Sequence, residues 1–174
     1  GNENGDAEKQ AMKAARTPVL VVSLSDLRRD QRVRRQVQTL SERFSVTTLS
    51  LEVASDLDAI GVKIAHPTML PLQKLRRHVW TNIVCRDYTS WYWQGLRIDS
   101  AIQELRASNF SLVVANDVEA LPLAFWLSNN RARVVMDAHE YAPRQFENDR
   151  WWRLVNAPVY DWICRSCFGK LDGA

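Results

Sequence analysis

Apolar residues along this chain follow two rhythms. Unbroken runs rich in β-branched residues, bounded by turn formers, mark buried strands. Recurrences three and four residues apart mark helices with one buried face. "TPVLVVSLSD" is the first run and predicts a fully buried strand, with the Ser and Asp that close it as helix-start candidates. Val33, Val37, Leu40 and Phe44 then share one helical face, and "FSVTTLSL" alternates as a second strand should. "GVKIAHPT" reads as a third strand after a loop. From Pro71 the pattern turns helical, with Leu72, Leu75, Val79 and Ile83 on one stripe, and Ile98, Ile102 and Leu105 mark a further helix ending at "ASN". "FSLVVAND" predicts a buried strand, "VEALPLAFWLSNN" a short helix closing on Asn-Asn, and "RARVVMDAHE" another strand. "APVYDWICRSCF" is the last helix, stopped at Gly169.

Apolar strands alternating with helices predict a doubly wound, mostly parallel sheet with helices on both faces, a Rossmann-like α/β fold. A chain of 174 residues fits one such domain, expected over residues 17–174. Residues 1–16 have no apolar core for a signal peptide and are expected to form a disordered leader. "KLDGA" looks like the approach to another strand, so the domain is expected to stop before its last one. Open parallel sheets bind ligands at the carboxyl ends of their strands, which gathers Ser23–Asp26, Asn116–Glu119 and Asp137–Glu140 at one edge. The long connection from Tyr141 to Asn156 reads as a functional loop.

Composition narrows the function. A net charge of +3 gives no reason to expect nucleic acid as a partner. Three cysteines argue against a disulfide framework, and Cys164 and Cys167, a C-x-x-C within a helical pattern, lack the second ligand pair that zinc needs. The stretch from Pro18 to Ile60 contains no glycine, which excludes the glycine-rich turn of a dinucleotide site; no P-loop motif occurs either. "DLD" at Asp56–Asp58 has the form of a cation-chelating D-x-D, but no apolar strand leads directly into it, so it reads as a surface loop. No metal or resident cofactor is therefore expected.

Two features offer chemistry. "SDLRRDQRVRRQ" carries five arginines. Helical projection sends Arg28, Arg32 and Arg35 to solvent and sets Arg29 and Arg34 beside the buried face. Arg28, Arg29 and Arg32, near a strand end, are candidates to meet an anionic ligand. "KLRRH" (Lys74 to His78) adds a basic patch beside Leu72, Leu75, Val79 and Trp80, the pairing an interfacial amphipathic helix requires. The second feature is "VVMDAHEYAPRQ". Here a strand ends on His139 flanked by Asp137 and Glu140, carboxylates that can fix the imidazole tautomer or hold its proton. Asp137 and His139, two apart, share a face of an extended strand. His139 is expected to face ligand, Asp137 to support it, and Glu140 to anchor the following loop. Trp91/Trp93 and Trp151/Trp152 can stack on sugar faces, though large aromatics mostly serve cores.

Taken together, "RVVMDAHEYAPRQF", "ANDVEALPLAFWLSNN" and "LRRDQRVRRQVQTLSERFSVTTLSL" resemble the N-terminal half of a retaining, family-4-like glycosyltransferase of the GT-B type. The resemblance runs from about Pro18 to Ala174. It implies an acceptor-side domain facing, across a cleft, a C-terminal domain that holds the nucleotide-sugar, with no metal-binding D-x-D. It implies His139 as the catalytic residue approaching the transferred sugar, and Asn116, Asp117 and Tyr141 beside the acceptor. The acceptor is expected to be a glycan or a lipid-linked sugar, the protein cytoplasmic and peripheral at the inner membrane face, and the exposed cleft side prone to self-association. This chain lacks the glycines that relatives often carry after the first strand, and the nucleotide-sugar domain is not in it. The alternatives are a non-catalytic Rossmann-like regulatory module and a basic domain that docks on membranes.

Overall fold

The computed structural model describes residues 16–138 and 150–173. Five strands, β1 (Pro18–Ser23), β2 (Ser45–Ser50), β3 (Ile60–Lys63), β4 (Leu112–Asn116) and β5 (Arg133–Asp137), form one sheet in the order β3-β2-β1-β4-β5. Every pairing is parallel: Val21 lies opposite Thr48 on one side and Val114 on the other, and Val114 opposite Val135. This is a Rossmann-like α/β fold. The order reverses direction between β1 and β4, the position where such sheets open a crevice.

Side-chain alternation divides the core. Val19 and Val21 face one side with Val33 and Val37 of helix α1 (Gln31–Ser41). Leu20 and Val22 face the other, packing with residues of α4 (Ser100–Ala107), α5 (Leu121–Ser128) and α7 (Ala157–Cys167). Both faces are covered at the centre of the sheet, which is why β1 and β4 are apolar runs. β2 departs from its reading as an alternating strand for the same reason. Val46 to Ser50 are all buried, the polar Thr47, Thr48 and Ser50 included, and the Ser50 hydroxyl donates to the Glu52 carbonyl at 2.9 Å.

Helix α1 begins later than expected. Its N-cap is Asp30, whose carboxylate accepts from the Val33 amide at 3.1 Å, so residues 24–29 are a turn rather than helix. At the far edge, Asp172 and Gly173 hydrogen-bond to Val134 and Met136 of β5 in parallel register, the position of a sixth strand. Gly169 is not a left-handed cap. The short 3₁₀ turn Phe168–Lys170 ends α7, and none of the described glycines has positive φ.

Two helices escape the sequence patterns, α3 (Tyr88–Gln94) and α6 (Arg150–Val155). The stripe from Pro71 folds into α2 (Pro71–Arg77), which runs into a π-helical turn (His78–Val84). Its Leu72, Leu75, Val79 and Ile83 are exposed, not buried, along with Leu70 and Trp80.

Candidate functional site

The carboxyl ends of β1, β4 and β5 carry two adjoining sites, joined by the turn Asp117–Glu119. Asp117 starts it with φ +68° and ψ 164°, a backbone region that side chains other than glycine rarely enter. Three contacts hold it there. Its amide donates to the Asp137 carbonyl at 3.2 Å, its carboxylate accepts from Arg32 Nη2 at 2.7 Å, and the Ala120 amide donates to its carbonyl.

The first site is a polar cluster. Arg32 sits between Asp117 and Asp137, with Nη1 3.6 Å from Asp137 Oδ2. That distance is an ion-pair contact too long for a hydrogen bond. Gln36 donates to Asp137 Oδ2 at 3.0 Å and accepts from the Asn116 amide at 2.9 Å. Arg32 Nη1 and Asn116 Oδ1 are buried without a hydrogen-bond partner among the described residues. One guanidinium against two carboxylates leaves this cluster no surplus of positive charge.

The arginine expectations change accordingly. Arg32 does not project to solvent; from the first turn of α1 its long side chain reaches the strand ends, where it is only 25% exposed. Arg28 pairs with Asp26 through Nε at 3.0 Å, and this hydrogen bond holds the Asp26 carboxyl below its usual range. Arg29, 89% exposed, does not flank the buried face, because it precedes the helix. Arg34 forks onto Asp56, which makes the D-x-D part of a surface ion pair. Among the described residues no three His, Cys, Asp or Glu side chains gather as a metal site. His139, Glu140 and Tyr141 lie outside the described residues; Asn116, Asp117 and Asp137 are brought together.

The second site is a cavity of about 410 Å³ on the other side of the turn. Leu24, Leu96, Val159 and Ile163 wall it together with Trp91 and Tyr92 of α3. The antiparallel bridge of Ala65 with Arg97 brings His66, Pro67 and Met69 to its mouth. His66 Nδ1 lies 2.8 Å from the Gly95 carbonyl. A carbonyl only accepts, so Nδ1 carries the hydrogen and Nε2 is left for a ligand. Glu119 is the acid of the cavity. The Tyr160 hydroxyl donates to its Oε1, and the buried Tyr92 hydroxyl donates to its main-chain carbonyl at 2.7 Å. Burial first, then the Glu119 contact, pushes the Tyr160 hydroxyl upward, so it stays a donor.

Glu119 was expected at the strand-end edge but given no role, and Tyr160, His66 and Tyr92 were missed as site residues. Glu119 and Tyr160 lie 41 positions apart, and no spacing rule links them. Trp91 lines the cavity. Trp93 packs on Trp126, at 5.8 Å between centroids, while Trp152 stacks on Tyr160. The C-x-x-C cysteines are helix residues with thiols raised by burial, Cys167 to about 11, the opposite of a reactive thiolate.

The fold and strand-end site define a Rossmann-like α/β domain with a preformed crevice. No protein-family model matches the chain, and no curated protein is significantly similar to it.

Proposed function

We propose that this domain is the acceptor-side half of a GT-B glycosyltransferase, in which a sugar passes from a nucleotide-sugar to a hydroxyl acceptor. The observation that carries the reading is the turn Asp117–Glu119, which sits where the strand order reverses and has a polar cluster on one side and an aromatic-walled cavity on the other. The cavity suits an acceptor. The polar cluster, with its carboxylates in excess, does not suit a diphosphate, in keeping with a donor held by another domain. In this reading His139 supplies the contact to the transferred sugar, Asp137 supports the strand end, and charge on the leaving diphosphate is stabilised from the donor side.

The test is an assay of the chain with UDP-, GDP- and ADP-sugars and hydroxyl acceptors, combined with calorimetry against the nucleoside diphosphates. The reading expects neither hydrolysis nor transfer, and no diphosphate binding. Turnover by this chain alone contradicts it, as does tight diphosphate binding at the strand ends, which favours the regulatory-module alternative.

A second reading has its own observation. Leu70, Leu72, Leu75, Trp80 and Val84 are 58–76% exposed in one short stretch that also carries Lys74, Arg76 and Arg77. Exposed apolar groups beside basic ones fit the surface of an anionic membrane. No helix among the described residues is long and apolar enough to cross one. Docking at the membrane face and accepting a lipid-linked substrate are compatible.

A further inference from the structure

We infer that the cavity beside Glu119 binds an alcohol with a compact apolar or aromatic body. In the transferase reading, on which the word rests, the acceptor is then an apolar alcohol rather than a bare glycan. The volume of about 410 Å³ lies toward the small end of the range for small-molecule sites, about 300–1,000 Å³. Its walls are Leu24, Leu96, Val159, Ile163 and the Trp91 ring, with Met69 at the mouth. Such walls reward an apolar body. They offer few partners to the several hydroxyls on each face of a sugar, most of which would lose their water without replacement.

The few polar groups specify the head of the ligand. Tyr160 donates to Glu119 Oε1, and a carboxylate with two oxygens can accept further hydrogen bonds. Tyr92 is committed to the Glu119 carbonyl, and His66 Nδ1 to Gly95. What remains are the Glu119 carboxylate, which accepts, the imidazole Nε2 of His66 and the carboxamide of Asn156. A hydroxyl that donates to the carboxylate and accepts from the Asn156 amide suits that arrangement. A carboxylate or phosphate head would face Glu119 with no lysine or arginine among the described lining residues to offset the repulsion.

The test is ligand-observed saturation-transfer NMR on the whole chain with 4-phenyl-1-butanol, 4-phenylbutyrate and methyl β-glucoside. The alcohol is expected to bind saturably and the acid at least tenfold more weakly, with the glucoside failing to displace the alcohol. Met69→Trp, a change on a connecting segment rather than in the core, is expected to fill the mouth and abolish binding, and Glu119→Leu to weaken it several-fold. Failure of the alcohol to bind, equal binding of the acid, displacement by the glucoside, or full binding by the Met69→Trp protein overturns the inference. The readout does not depend on glycosyl transfer. Diphosphate binding at the strand ends would sink the transferase reading while these alcohol preferences left the cavity site standing.

Discussion

Asp117 shows how a single residue joins backbone strain to the site. Its left-handed φ costs on the order of 1–3 kcal/mol for a side chain other than glycine, and the Arg32 ion pair and the Asp137 carbonyl hold it in place. Asp117→Ala keeps the strain and loses the ion pair. Asp117→Gly loses the ion pair but relieves the strain. Urea unfolding is expected to find the glycine variant more stable than the alanine variant by about 1 kcal/mol; equal stability would mean that the turn relaxes freely. Cys167 supplies a pH-dependent case. Burial raises its thiol from 9.0 to about 11, so the folded state holds this proton more tightly than the unfolded chain does. That contribution is complete below pH 9 and fades as pH rises from 9 toward 11. Iodoacetamide at pH 8 is expected to modify the exposed Cys85 well before Cys167; equal rates would show that α7 opens readily. Sequence made Asp137 and Asn116 legible as strand-end residues. It misplaced Arg32, because a helical projection gives the direction of the Cα–Cβ bond and not the reach of a long side chain, and from the first turn of α1 the guanidinium extends to Asp117.

At the scale of elements, apolar runs located the central strands β1 and β4 because burial on both faces demands them. The stripe from Leu72 to Ile83 shows the limit of the same rule. Helical spacing states that a face exists, not that anything in the chain covers it, and here the face stays exposed. Leu72→Gln with Leu75→Gln is therefore expected to shift the melting temperature by less than about 2 °C, since little burial is lost. The same pair should lower binding to phosphatidylglycerol vesicles at least fivefold, with the remaining binding falling as salt rises. A large loss of stability would show that this stripe is packed. Gly61, on the edge strand β3, makes an opposite case: a Cβ there would lie 2.2 Å from Val53 Cγ1. Gly61→Ala is expected to cost about 1 kcal/mol, and Val53→Ala in the same chain to recover much of it. Purely additive losses in the double variant would place the cost in the backbone instead. Helix α3 was not legible, since its residues carry no regular apolar stripe and Tyr92 is its one buried residue.

For the whole molecule, the alternation of strand and helix was enough for a parallel doubly wound sheet, because parallel strands need crossovers and right-handed crossovers leave few topologies. The site was legible only as a location. Which side chains meet across the crevice depends on contacts such as Arg32 with Asp117 and Tyr160 with Glu119, which span 85 and 41 positions. The central claim is that ligand enters beside the turn after β4. Amide NMR mapping with 4-phenyl-1-butanol tests it most directly, because this alcohol offers an apolar body to either candidate surface. The account predicts shifts concentrated at Leu24, Gly95, Leu96 and Val118–Glu119. Shifts confined to residues 70–84 would contradict it and leave the exposed stripe as the surface that recognises amphiphiles.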